Sequence, residues 1–238
     1  MHIVAIGGRG FYGARDAALD RYILELAGKK RPRVCFVPTA SGDAQANIRR
    51  VYRAVRRLGG IPSHLSLFAG PTEKYADYLC RHDVIFVGGG NTRNLLALWR
   101  LWGLDAAMRT AYRRGVVLSG VSAGAICWFQ AGLTDSFPGK LAALRAMGWL
   151  RGSFCPHFDS EPARRPIFRK LIREGALPGG YAADDGVALH YVDGKLLRAV
   201  SARAKAGAFE LRRRAGKLEE TALPIRRLGG KATSVSGS

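Results

Sequence analysis

The chain has 238 residues, with 38 Lys plus Arg against 18 Asp plus Glu, a formal net charge of +20 at pH 7. Apolar residues make up 47%, charged residues 24%, and mean hydropathy is −0.05. That excludes a disordered polar chain, and no apolar run approaches the ~18 residues of a bilayer span.

Residues 1–10 carry no basic stretch leading into an apolar run, so no secretory leader is expected. Cys35, Cys80, Cys127 and Cys155 show no metal-type CxxC spacing, and are expected as free thiols in a reducing cytoplasm. The basic excess has two readings. One is nucleic-acid binding. The other is arginine spread over the whole surface, from Arg49, Arg50, Arg53, Arg56 and Arg57 to Arg212, Arg213, Arg214, Arg226 and Arg227. No RNP, zinc-finger or basic-zipper pattern accompanies these residues, so no specific nucleic-acid partner and no membrane partner is expected. The charge still favours acidic small molecules.

In chain order, residues 3–6 read as a strand that runs into Gly7, Gly8 and Gly10. Residues 17–27 have helical spacing, with Leu19, Ile23, Leu24 and Ala27 on one face. Residues 34–38 are continuously apolar, as a buried parallel strand is. Residues 44–58 form a basic amphipathic helix that Gly59-Gly60 stops. A third strand is expected at 64–68, a short helix at 72–80 and a fourth strand at 83–87. Helices follow at 91–102 and 104–114, and a fifth strand at 116–119. Beyond about residue 150 come short strands at 181–183, 187–191, 196–199 and 208–211, separated by turns such as Asp185-Gly186 and Asp193-Gly194. The fold class is therefore α/β: a three-layer, mostly parallel sheet with helices on both faces, plus short antiparallel strands in the C-terminal part. One domain is expected over 1–225, and a basic then Gly/Ser-rich flexible tail over 226–238.

The most informative stretch is residues 115–128, GVVLSGVSAGAICW. A β-branched strand enters Gly120-Val121-Ser122-Ala123-Gly124, and a helix is expected after it. This is G-x-S-x-G in its strand–turn–helix setting. A serine on so sharp a turn stands clear at the C-terminal end of the sheet, and small residues two positions either side keep strand and helix from colliding. The Ala123 amide can face an oxyanion. Gly88-Gly89-Gly90-Asn91-Thr92 also follows a strand. It lacks the Walker lysine and the dinucleotide fingerprint, and its amides suit the other half of an oxyanion hole.

A serine nucleophile needs a base. Of the histidines, His157 lies in a loop, in Phe154-Cys155-Pro156-His157-Phe158-Asp159, and is the strongest candidate. His2, His64, His82 and His190 lie in or next to strands. An α/β-hydrolase reading would use His190 instead. The carboxylate that orients the imidazole is open among Asp135, Asp159, Glu161, Asp184 and Asp185.

The ordered set GGGNT, GVSAGA, Thr134-Asp135 and PHF resembles the S51 serine peptidases, which include peptidase E, an aspartyl dipeptidase, and the cyanophycinases. The resemblance runs from the first strand to about residue 211. It implies a class I glutamine amidotransferase-like fold, with Ser122 as nucleophile, His157 as base, Asp135 as the acidic member, and Gly90 and Ala123 as oxyanion amides. It also implies that Arg164, or Arg165, meets a substrate carboxylate, with Asn91 and Glu161 near the substrate. The implied activity is a cytoplasmic serine exopeptidase that cleaves dipeptides with N-terminal aspartate, as monomer or homodimer, with no metal or cofactor. A cyanophycinase-like or isoaspartyl-type peptidase, and a noncatalytic amidotransferase-like binding module, are the alternatives.

Overall fold

Successive strand side chains point to opposite faces of a sheet, and β1 (His2–Ile6) displays this directly. Ile3 and Ala5 enter one hydrophobic core, while Val4 and Ile6 enter another. A strand buried on both faces must be apolar throughout, which is why the early strands read as unbroken runs.

The computed structural model describes residues 1–12, 17–68 and 74–229. After β1 come α1 (Ala17–Glu25), β2 (Arg33–Val37), α2 (Gln45–Arg57), β3 (Ile61–His64), α3 (Tyr75–Cys80), β4 (Val84–Val87), α4 (Thr92–Trp102), α5 (Leu104–Arg113), β5 (Val117–Val121) and α6 (Ala123–Ile126). The second half holds β6 (Phe129–Phe137), β7 (Lys140–Arg145), β8 (Leu150–Cys155), α7 (Arg164–Arg173), β9 (Gly180–Ala183), β10 (Val187–Val192), β11 (Lys195–Ser201), β12 (Ala208–Arg214), β13 (Lys217–Ala222) and β14 (Ile225–Arg227).

The main sheet has the order β14-β11-β10-β1-β5-β4-β2-β3. Neighbours from β1 to β3 are all parallel, and β10 pairs antiparallel with both β1 and β11. One face packs Cys35, Val37, Ile85 and Val87 against Leu95 and Trp99 of α4 and Met108 of α5. The other packs Val34, Phe36, Val84 and Phe86 against Ile23 of α1 and Val51 and Val55 of α2. Helices thus cover both faces, as the strand–helix alternation predicts. No helix among the described residues is long and apolar enough to cross a membrane.

Several expectations need correction. The third strand is Ile61–His64, not 64–68. Among the described residues it is an edge strand paired to β2, and it carries Pro62. An edge tolerates the missing amide that obscured the strand pattern. The Leu65 amide makes the last bond to this ladder, to Phe36 O at 2.9 Å. The short third helix begins at Tyr75, and residues 72 and 73 lie outside the described residues. The helix after the serine is a single turn, because the apolar run from Cys127 leads straight into β6. Further elements, β6, β7, β8 and α7, are not predicted by the pattern of residues 129–173. Those strands join a second sheet, β13-β12-β9-β8-β6-β7, with its own core around Leu133, Phe168 and Leu211. Finally, β14 pairs in parallel with β11, Val200 opposite Arg226 and Ser201 opposite Arg227. The expected start of a tail at 226 therefore falls inside a strand, and 230–238 lie outside the described residues.

His190 is buried mid-strand on β10, opposite Val4 of β1. Its Nε2 lies 2.9 Å from His2 Nδ1, and its Nδ1 lies 2.6 Å from the Tyr22 hydroxyl. That placement removes it as a catalytic base. Burial first, then the charges of His2 and Arg198, push its pKa down to about 4. In the unfolded chain the value returns to about 6.5. The unfolded state therefore binds the extra proton between these values. Stability from neutral His190 is complete above pH 6.5 and is lost as pH falls toward 4, by up to ~3 kcal/mol. Urea midpoints at pH 7.5 and 4.5 are expected to differ by less in His190→Gln than in wild type.

Candidate active site

The nucleophile candidate sits where β5 stops. Ser122 has φ 54° and ψ −113°, a conformation that side-chain-bearing residues rarely hold. Such strain costs about 1–3 kcal/mol and persists only where the surroundings enforce it. Its amide donates to Ile6 O at 3.1 Å, and its carbonyl accepts from Ala125 and Ile126, each at 2.9 Å. The flanking glycines are demanded sterically. A Cβ on Gly120 would lie 2.0 Å from Gly124 O, and a Cβ on Gly124 would lie 2.3 Å from Val87 O. Gly124→Ala must therefore push β4 away from the elbow. It is expected to cost at least about 1–3 kcal/mol, the usual penalty of overpacking, read as a lowered denaturation midpoint.

The glycine loop lies against this turn. A Cβ on Gly89 would stand 3.4 Å from Ser122 Cβ and 3.9 Å from its Oγ. Gly90, with φ 137°, leaves no room for a side chain, since a Cβ there would lie 2.2 Å from Ala40 O. The Asn91 amide pins the loop to that same carbonyl at 2.8 Å. Ala123, the first residue of α6, is buried beside the serine in sequence.

His157 follows β8 and Pro156 and also has a positive φ, 54°. Its amide donates to Gly7 O at 3.1 Å. The backbones of Ser122 and His157 therefore hang on successive carbonyls, Ile6 and Gly7, at the C-terminal end of β1. The imidazole Nδ1 lies 2.8 Å from Asp185 Oδ1. When Nδ1 donates to a carboxylate, Nε2 is left as the proton acceptor. The His157 hydrogen bond, with the positive charges of His157 and Arg9, holds the Asp185 carboxyl below the usual range despite its burial. Arg9, half-exposed in the loop after β1, places Nε 3.7 Å from Asp185 Oδ2. Gly8 must lack a side chain, since its Cβ would fall 1.8 Å from Asp185 Oδ1.

The five candidate carboxylates thus separate. Asp185 meets His157. Asp135 does not: it is 67% exposed on β6, and its charged neighbour is Arg164 Nη2 at 3.9 Å. Asp159 Oδ1 accepts the Asp185 amide at 2.9 Å, Asp184 Oδ2 accepts the Gly207 amide at 2.7 Å, and Glu161 bonds Arg164. Spacing left Asp185 one of five candidates, on what reads as an ordinary turn between strands, and the resemblance pointed to Asp135 instead.

Arg164 also departs from expectation. It is 1% exposed, with Nε donating to Glu161 at 2.6 Å and Nη1 to Leu133 O at 3.1 Å. A guanidinium so enclosed braces β6 against α7 and is not free to receive a substrate carboxylate. Arg165 pairs with Glu220 and lies over Phe158 and Phe209, 5.2 Å from each ring centre. Asn91 caps α4, its Oδ1 accepting the Asn94 amide at 2.8 Å.

The comparisons agree with this architecture. The model of peptidase family S51 matches residues 3–199. A Bacillus subtilis (strain 168) protein named as the uncharacterised peptidase YgaJ is 50% identical over 228 residues, covering 95% of this chain and 99% of its own. An uncharacterised Listeria monocytogenes peptidase is 26% identical over 151 residues, covering 60% and 73%. The crystal structure of a peptidase from an acI-B1 Actinobacterium superposes with TM-score 0.68 at 16% identity, over 93% of this chain and 96% of that one. A peptidase E-like protein from Listeria monocytogenes superposes with TM-score 0.57 at 18% identity, over 94% and 98%. The structural likenesses establish the fold, the sequence match establishes the lineage, and the chain belongs to peptidase family S51.

Proposed function

We propose that this peptidase is a serine exopeptidase for small peptides, dipeptides with N-terminal aspartate first among them, acting through an acyl-enzyme on Ser122. The observation that carries the reading is the His157–Asp185 hydrogen bond at the strand end that also anchors the strained Ser122. His157 Nε2 takes the Ser122 proton as Oγ attacks the peptide carbonyl. The Gly90 and Ala123 amides stabilise the oxyanion, and loss of one such donor typically costs ~10²–10³ in turnover. The imidazolium then protonates the leaving amine. Water, deprotonated by His157, hydrolyses the ester and restores Ser122. Asp185, in place of Asp135, holds the tautomer.

The acidic preference rests on the half-exposed Arg9 and the +20 net charge, Arg164 being buried. One observation favours a second reading. Arg164 holds Glu161 and Asp135 beside it, both substantially exposed, and the Glu161 amide bonds His157 O at 3.1 Å. Carboxylates there suit a substrate with a cationic end, such as β-Asp-Arg from a cyanophycin-like polymer. No metal or cofactor enters the chemistry, and the buried free thiols Cys35, Cys127 and Cys155 suit a cytoplasmic setting.

Hydrolysis of Asp-, Leu- and Arg-p-nitroanilide and of β-Asp-Arg by wild type and Ser122→Ala tests this. Cleavage of the Asp substrate alone, lost in the variant, is expected. Preference for β-Asp-Arg selects the second reading. No cleavage, together with no labelling of Ser122 by a fluorophosphonate, would leave a noncatalytic binding module.

A further inference from the structure

A carboxylate on a short turn between strands needs something to hold it, because the turn itself leaves its peptide groups open to water. Asp185 occupies such a turn between β9 and β10, yet both of its peptide groups are bonded. Its amide donates to Asp159 Oδ1 at 2.9 Å. Its carbonyl accepts from Arg203 Nη1 at 2.8 Å, and the same nitrogen donates to Asp159 Oδ2 at 2.7 Å. Asp159 lies two residues after His157. A closed ring therefore runs from the His157 imidazole to the Asp185 carboxylate, through the Asp185 backbone to Asp159, and back along the chain to His157.

Arg203 is itself built in. Its aliphatic stem lies on Gly186, where a Cβ would come within 2.8 Å of Arg203 Cδ. Its amide donates to Ser201 Oγ at 3.0 Å. Its carbonyl accepts from Arg227 Nη1 at 2.5 Å, and Arg227 also donates to Ala206 O at 2.9 Å. Arg227 sits on β14, so the C-terminal strand reaches the site through one loop. These arginines lie beyond residue 199, where the match to the family ends.

We propose that Arg203 and Asp159 are positioning residues for Asp185, and that the segment after β11 completes the active site through them. The inference rests on the serine mechanism proposed above. A charge-assisted bond on each side of one residue fixes its peptide planes better than neutral bonds do, and misplacement of a catalytic group by about 1 Å can cost ~10²-fold in rate.

The test uses the full chain with Arg203→Ala, Arg203→Lys, Asp159→Ala and the Ala/Ala double variant. The substrate is whichever one wild type cleaves. Expected is a fall in kcat of about 10–10²-fold in each alanine variant, with KM within about twofold. The double variant should be no slower than the slower single, because the two act as a unit. Arg203→Lys, which keeps the charge, should recover part of the rate. In parallel, the downfield proton resonance of the His157 Nδ1–H should be visible in wild type and broadened beyond detection in Arg203→Ala at the same pH. Unchanged kcat with a persistent resonance would overturn the proposal. So would losses in kcat that multiply in the double variant. Should Ser122→Ala retain turnover, the serine mechanism falls, and the resonance alone still decides whether Arg203 positions the His157–Asp185 pair.

Discussion

Ser122→Ala is expected to lower kcat by about 10⁶-fold, the scale on which removal of a serine nucleophile acts when its base and carboxylate stay in place. The fold should persist, since the anchors of the turn are backbone atoms: the Ser122 amide to Ile6 O, and the Ser122 carbonyl to the α6 amides. The strain at φ 54°, ψ −113° supplies a second readout. Alanine inherits it, whereas glycine does not. Ser122→Gly should therefore be as inactive as Ser122→Ala yet more stable. The difference should be up to about 2.5 kcal/mol, the strain relieved being about 1–3 kcal/mol and the glycine entropy cost about 0.5–1 kcal/mol. Urea denaturation of the two variants measures it. A Ser122→Gly variant less stable than Ser122→Ala by the full glycine cost, about 0.5–1 kcal/mol, would mean that the turn is not under strain.

Asp185→Asn is expected to cost about 10⁴-fold in kcat, because an amide that donates to Nδ1 imposes the wrong tautomer and leaves Nε2 unable to accept the Ser122 proton. Asp135→Asn, by contrast, should leave kcat within a few-fold, since Asp135 is solvent-exposed and meets Arg164, not His157. Kinetics of the two variants side by side separate the roles. A collapse in Asp135→Asn with little change in Asp185→Asn would return the orienting role to Asp135 and void the assignment drawn from the His157–Asp185 distance.

The elements that sequence alone made legible are those with a local physical cause. Val84–Val87 is apolar at every position because both faces of the strand are covered, and a run of that kind is visible without knowing its neighbours; Val117–Val121 departs from it only at Ser119 and Gly120. The elbow was legible because Gly120 and Gly124 are required by contacts within a few residues of Ser122 and with the adjacent strand. His157 is legible for a related reason: it lies in a loop, next to a proline that follows a strand, whereas His2, His64 and His190 lie in strands and His82 just precedes one. β3 was misplaced because Pro62 interrupts the pattern on an edge where pairing is one-sided. β7 is obscured because it is partly exposed along its whole length, and β6 and β8 because they bury Thr134, Ser136 and Ser153 where an apolar run would otherwise show.

What only the tertiary structure decided is which charges meet. Asp135, Asp159, Glu161, Asp184 and Asp185 are equivalent as letters, and nothing in their spacing from His157 orders them. The antiparallel pairing of β10 with β1 brings the turn that carries Asp185 over Gly8, and the Gly186 amide to Gly8 O at 3.0 Å seals that approach. Arg164 likewise reads as a surface arginine until Leu133 O and Glu161 enclose it. Burial and hydrogen-bond partners are set by segments tens of residues apart. The sequence therefore determined the parallel part of the main sheet and the proposed nucleophile and base, while the fold determined which carboxylate meets His157 and that Arg164 is enclosed.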